Sequence, residues 1–167
     1  KPEGMKVLEA AALPHASAHA MQALGDPGRL KPGDRILING AGGGVGTLGI
    51  QIANTRGVAE VDGVDHTSKK KILGRVGFQT VYDYTSEDFT RVESTYDLIL
   101  DTKTNRPPWR YLQSLKPGGR YVTVGGSPFR LIQVLLFGRL LRWWTGKTLA
   151  IVALKPNQDM ERINQLY

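Results

Sequence analysis

The stretch from Arg35 to Asn54 constrains the fold more than any other. Arg35–Asn39 (RILIN) has a wholly apolar interior, the mark of a strand covered on both faces. The cluster Gly40-Ala41-Gly42-Gly43-Gly44-Val45-Gly46 follows at once. From Val45 to Asn54, the residues Val45, Leu48, Ile50, Ile52 and Ala53 then suit a helix lying on a sheet. Fixing a glycine costs conformational entropy, so a cluster of them needs a reason. Its place between strand and helix supplies one. The backbone must turn tightly and stay bare enough for a phosphate to reach the helix N-terminus.

The same rhythm recurs along the chain. Glu60–Val64, Thr80–Tyr82, Asp97–Asp101, Arg120–Val124 and Thr148–Ala153 read as further strands. Leu8–Leu24, Ser68–Val76, Trp109–Leu115 and Asp159–Leu166 read as helices, with Pro14 expected to begin or kink the first. Gly25-Asp26-Pro27-Gly28, Lys31-Pro32-Gly33-Asp34 and Lys116-Pro117-Gly118-Gly119 read as turns. Apolar strands alternating with helices predict an α/β fold, a doubly wound parallel sheet of six strands in the order 3-2-1-4-5-6. Residues 31–167 form that domain, and residues 1–30 supply a helix leading into it.

Composition narrows the function. The net charge of +7 comes from lysines and arginines that are mostly scattered, and no nucleic-acid motif accompanies them. There is no cysteine, which removes disulfides and thiolate metal sites and fits a reducing, cytoplasmic setting. His15 and His19 share a helix face without a third ligand, so no metal site is expected.

Ala41-Gly42-Gly43-Gly44-Val45-Gly46 is a Gly-x-Gly-x-x-Gly pattern with alanine in the first place. Ala41 permits the turn, Gly43 opens the backbone to a pyrophosphate, and Gly46 lets the helix pack closely on the sheet. Asp65 ends the second strand nineteen residues after Gly46, where an acid can accept hydrogen bonds from adenosine ribose and favour NAD. Ser68, Lys69, Lys70 and Lys71 follow, a hydroxyl and ammonium groups that suit a 2′-phosphate and favour NADP. Lys70 and Lys71 equally suit a solvated helix face.

Two rivals overlap this pattern. Gly40-x-x-x-Gly44-x-Gly46 fits short-chain dehydrogenases, but no tyrosine here has their lysine four residues on. An S-adenosylmethionine-dependent methyltransferase would carry an acid in Ile36-Leu37-Ile38-Asn39, which has none.

Five segments together resemble a known family: EAAALPHASAHAMQAL, LKPGDRILINGAGGGVGTLGIQIA, GVDHTSKKKILGRVGFQTVYDYTSEDF, YDLILDT and LKPGGRYVTVGG. They are similar, in order and spacing, to the cofactor domain of medium-chain dehydrogenase/reductases of the zinc-independent, quinone-oxidoreductase-like branch. The resemblance implies that Ala41, Gly43, Gly44, Val45 and Gly46 hold the pyrophosphate and that Asp65 faces the adenosine ribose. It implies that Lys69 and Tyr84 line the 2′-phosphate pocket, beside the Ser68 hydroxyl noted above, and that Thr102 lies over the middle of the cofactor. Gly125, Gly126 and Ser127 would lie near the nicotinamide half.

The implied cofactor is NADP or NAD, with NADP slightly favoured and no zinc. The implied chemistry is hydride transfer to or from a quinone, enone, aldehyde or alcohol. A β-rich catalytic domain precedes this segment in the family, and the chain is expected to be inactive without it. No catalytic residue is assigned. The alternative is a non-catalytic nucleotide-binding or assembly module. In the family Thr-Val-Gly often follows the fourth strand. Here it is Thr102-Lys103-Thr104, which sets a long side chain where close cofactor approach is expected. His19 takes the place of a small residue near the nicotinamide.

The segment Arg130–Lys147 (RLIQVLLFGRLLRWWTGK) is apolar, basic and too short to span a bilayer. It is expected to be a helix packed on another domain or subunit, and so to drive self-association. Lying on a membrane surface is the alternative. Thr148–Ala153 is expected to be a sheet edge that pairs across a two-fold axis in a homo-oligomer.

Overall fold

The computed structural model describes residues 7–155, with side chains from Leu13 to Lys155. The strands are β1 (Arg35–Asn39), β2 (Glu60–Asp65), β3 (Val81–Asp83), β4 (Tyr96–Asp101), β5 (Leu115–Thr123) and β6 (Thr148–Ile151). They form one parallel sheet in the order β3-β2-β1-β4-β5-β6, the doubly wound arrangement expected. The helices are α1 (Val7–Leu24), α2 (Gly44–Thr55), α3 (Lys70–Val76), α4 (Pro108–Leu112) and α5 (Pro128–Thr145).

Strand side chains alternate between two apolar layers. Ile36, Ile38, Leu98, Leu100 and Val122 pack with Ala20 and Leu24 of α1, Ile50 and Ile52 of α2, and Leu73 of α3. Leu37, Val64, Ile99 and Tyr121 face the other way, onto Phe89, onto Tyr111 and Leu112 of α4, and onto Val134 of α5. Each fully buried aliphatic side chain contributes roughly 1.5–3 kcal/mol. Helices on both faces explain why the strands read as apolar runs and not as alternating ones.

Successive strands run outward from β1 through β2 to β3, and the chain then returns to lay β4 on the other side of β1. The loops leaving the carboxyl ends of β1 and β4 therefore diverge around a crevice, the ligand position of this topology. A buried carboxylate fixes that point. Asp101, at the end of β4, is fully buried. Its Oδ1 accepts from Asn39 Nδ2 and from the backbone N–H groups of Lys103 and Thr104, each at 2.9 Å. Its Oδ2 accepts from the Tyr121 hydroxyl at 2.7 Å. One carboxylate thus ties together β1, β4, β5 and the loop leaving β4. Burial, with the nearby Asp101 charge, pushes the Tyr111 and Tyr121 hydroxyls far above their ordinary range, so both stay neutral.

Four local expectations need correction. α1 starts at Val7, so Pro14 lies inside the helix and does not begin it. α4 ends at Leu112 and not at Leu115, and β5 begins at Leu115, ahead of the expected Arg120. Leu115 pairs with Tyr96 while Arg120 pairs with Leu98, so Lys116-Pro117-Gly118-Gly119 is a bulge within β5. β6 ends at Ile151, two residues before the expected Ala153. The expected helix Asp159–Leu166 lies outside the described residues.

Asp101→Ala is expected to lower unfolding stability by about 3 kcal/mol, because buried donors from three elements lose their acceptor together. Urea unfolding checks this. A loss below about 1 kcal/mol would show that the carboxylate is dispensable.

Candidate functional site

The glycine loop is shaped by contacts on every side. Gly40 has φ +92, a conformation that side-chain-bearing residues rarely adopt. A Cβ there would fall 2.1 Å from Thr102 Oγ1. That hydroxyl donates to the Asn39 carbonyl at 2.9 Å, so the loop after β4 closes over the end of β1. The N–H groups of Gly40 and Ala41 both donate to the Val64 carbonyl, hooking the loop onto β2. A Cβ on Gly46 would lie 2.5 Å from the carbonyl oxygens of both Gly40 and Ala41, which enforces glycine where the helix meets the turn. Gly43 is the N-cap of α2 and offers no capping side chain, so the helix start is left to an outside acceptor.

Asp65 ends β2 directly beneath this loop. Its Oδ2 accepts from the Gly42 N–H at 2.7 Å, and its Oδ1 accepts from the His66 N–H at 2.8 Å. The Lys69 ammonium lies 3.0 Å from Oδ1. Burial raises the Asp65 pKa, but the His66 N–H, the Lys69 ammonium and the Gly42 N–H together hold it below the usual carboxylate range. In this structure the carboxylate therefore positions the glycine loop. It also tethers Lys69, whose side chain is half exposed.

A cavity of about 470 Å³ opens here, at the carboxyl ends of β1 and β2. It brings together Asp65, Ser68, Lys69 and Tyr84 from the sequence expectation, with Gly40 and Val64 behind them. His66, Asn39, Lys103 and Asn105 also line it. His66 Nδ1 accepts from the Ser68 N–H at 3.2 Å and lies 2.9 Å from Ser68 Oγ, fixing the turn that presents the serine. The sequence does not point to Asn39 or Asn105 for this pocket, and marks Lys103 only as a long side chain near the cofactor path. Asn39 is detectable as the polar residue that closes an otherwise apolar run.

Thr102 stays with the glycine loop, whereas Gly125, Gly126 and Ser127 gather separately, against Thr104 of the loop leaving β4. The Ser127 N–H donates to Thr104 Oγ1 at 2.7 Å, and a Cβ on Gly126 would overlap that oxygen at 1.7 Å. Thr104 is buried and has φ +46, a strained conformation for a β-branched residue. Lys103 lays its aliphatic stem against Gly40, where an added Cβ would lie 3.0 Å from its Cε. His15 and His19 sit on α1 with ring centroids 4.4 Å apart, and His19 Nδ1 lies 2.9 Å from the His15 carbonyl oxygen. Among the described residues no group of three His, Cys, Asp or Glu is placed to hold a metal.

A bare glycine turn at a helix start, with an acid at the end of the next strand, defines a dinucleotide-type crevice. The family model described as zinc-binding dehydrogenase matches residues 44–155, and the chain belongs to that family, within the medium-chain dehydrogenase/reductases. It is 35% identical over 130 residues to the mycocerosic acid synthase-like polyketide synthase of Mycobacterium tuberculosis, covering 74% of this chain and 6% of that protein. It is 33% identical over 128 residues to 2-methylene-furan-3-one reductase of Solanum lycopersicum, covering 76% of this chain and 32% of that one. The quinone oxidoreductase structure from Coxiella burnetii superposes with a TM-score of 0.78 at 26% identity, covering 98% of this chain and 49% of that one. The chain thus spans half or less of these relatives. It is an NAD(P)-binding domain of the family's oxidoreductase type.

The lowered Asp65 pKa has a testable sign. A depressed folded pKa contributes stability above the unfolded value of about 4 and loses it as the pH falls through the folded value. Asp65→Asn is expected to lower the urea midpoint at neutral pH and to flatten the acid limb below about pH 4. An unchanged acid limb would show that Asp65 does not hold the loop.

Proposed function

We propose that the crevice binds NADP in preference to NAD. In the whole protein it would present the nicotinamide for hydride transfer to or from a quinone, enone, aldehyde or alcohol. The observation that carries this reading is the cavity where Ser68, Lys69 and Tyr84 meet the glycine loop. Ala41, Gly43, Gly44, Val45 and Gly46 would hold the pyrophosphate, with Asp65 toward the adenosine ribose and Thr102 over the centre. Gly125, Gly126 and Ser127 would flank the nicotinamide half. The bound cofactor supplies the hydride chemistry.

This chain's residues bind, orient and select. Lys69 is the selector. A 2′-phosphate would draw its half-exposed ammonium from Asp65, which retains two backbone donors. Ser68 would add a hydroxyl donor, and Tyr84, 47% exposed, an aromatic wall. The names of the tomato and Coxiella relatives support an enone or quinone substrate. No catalytic residue is assigned in this chain, so the chain alone is expected to turn over no substrate. Among the described residues the outer edge of β6 is unpaired, which supports self-association through Thr148–Ala153. A second reading, a nucleotide-binding or assembly module without catalysis, is favoured by Lys103 over the crevice.

Isothermal titration with NADPH, NADH and S-adenosylmethionine tests the site. NADPH is expected to bind most tightly. Lys69→Ala should weaken NADPH about tenfold, the effect of losing one charge-assisted contact of about 1.4 kcal/mol, and spare NADH. Equal losses for both cofactors would remove Lys69 from its selecting role. No binding of either would leave the module reading. Quinone reduction by the isolated chain with NADPH, above the buffer rate, would overturn the expected inactivity.

A further inference from the structure

We infer that the outer face of α5 docks on an anionic lipid surface. α5 is held to the sheet by one narrow stripe. Val134 and Gly138 are buried, Leu141 packs on the same layer, and Gly138 brings the helix close to Leu149 of β6. The remaining circumference is almost entirely apolar or cationic. Phe129, Ile132, Leu136, Leu140 and Trp143 recur every three or four residues, so they form one continuous outward ridge. They are between 51% and 79% exposed. Leu135 and Trp144 widen the ridge, and Trp109 of α4 extends it through an edge contact with Phe137. An apolar surface of this extent needs a cover.

Charge identifies the cover. Between Thr102 and Gln158 there are ten lysines and arginines and no acidic residue. Arg139 and Arg142 lie on α5 beside the ridge, and among the described residues neither makes an ion pair. Arg120, disfavoured as a cation by burial, is further disfavoured by Arg29 and Arg142 and only partly relieved by Asp34, so positive charge accumulates beside this face. Packing two copies of this face across a two-fold axis would oppose like charges. A lipid surface instead takes the ridge into its acyl boundary and lets the arginines reach anionic headgroups, with tryptophans at the interface. No described helix is long and apolar enough to cross a membrane, so α5 would lie in the membrane plane.

Vesicle co-sedimentation tests this, using phosphatidylcholine with and without phosphatidylserine, together with tryptophan quenching by brominated lipid. The chain is expected to bind only the serine-containing vesicles, with quenching, and to be released by salt. Arg139→Gln and Arg142→Gln should each weaken partitioning about fivefold, whereas Lys at both positions should retain it. Trp143→Ser with Trp144→Ser should weaken partitioning at least fivefold and leave only the quenching of Trp109, while far-ultraviolet circular dichroism stays native, since both side chains are exposed. Equal binding to neutral vesicles, or no binding, overturns the proposal. So does a dimer in sedimentation equilibrium that the tryptophan changes dissolve while vesicles go unbound. Pairing through β6 uses main-chain groups and would survive those changes.

Discussion

The carboxylate of Asp101 is the constraint on which the crevice rests. A doubly wound sheet opens a crevice beyond the carboxyl ends of β1 and β4, because the connections from these strands leave in opposite directions. The strands themselves stay paired to their last residues, Asn39 and Asp101. Asp101 fixes the floor of the crevice by accepting from β1, β5 and its own following loop. A buried charge is tolerated only when its lone pairs are engaged, and here four donors meet that requirement. The neutral tyrosines beside it complete the arrangement, with Asn39 Nδ2 donating to Tyr111 at 3.2 Å. Thr104 keeps its strained backbone because Asp101 and the Ser127 N–H hold it from two sides.

Asp65 repeats the device one strand over. There the carboxylate holds a loop N–H, its neighbour's N–H and a lysine, and it sits at the edge of the cavity and not in the core. The two acids differ in what they leave available. Every contact at Asp101 is internal, whereas the Lys69 ammonium at Asp65 is exchangeable. The crevice is therefore rigid at its root and adjustable at its rim, a division suited to binding an anion without rebuilding the fold.

Much of this was legible from the residues. The apolar run marks β1 at its observed boundaries, and β2 and α2 to within a residue at each end, because apolar runs and glycine punctuation agree there. The region around Lys116-Pro117-Gly118-Gly119 was not. Locally it reads as a stop, and only the pairing of Leu115 with Tyr96 across a bulge turns it into strand. The pocket residues Ser68, Lys69 and Tyr84 were legible as a group. The contact of Asp65 with Gly42 was not, since it depends on the loop path set by Gly40 at φ +92. Thr104 was a departure from a family pattern on paper. Its meaning, a β-branched residue in a conformation that favours glycine, needs the backbone angle. The Arg130–Lys147 segment was legible as a helix. Which of its faces meets the sheet became clear only from the burial of Val134 and Gly138.

The strand order has an electrical consequence. The residues up to Asp101 carry eleven basic and thirteen acidic side chains, and those from Thr102 to Gln158 carry ten basic and none acidic. In most folds such a division along the chain would be mixed in space. Here β1, β2 and β3 lie to one side of β4, and β5 and β6 to the other, so the strands of the acid-free half share one flank of the sheet. The domain thus carries a charge asymmetry across the sheet, bridged where Lys116 meets Asp97 and Arg106 meets Asp88. In a field from any anionic body it would turn its β6 flank forward before touching, within a Debye length of about 8 Å at physiological salt. Orientation would precede contact, and it would follow from the winding order of the strands.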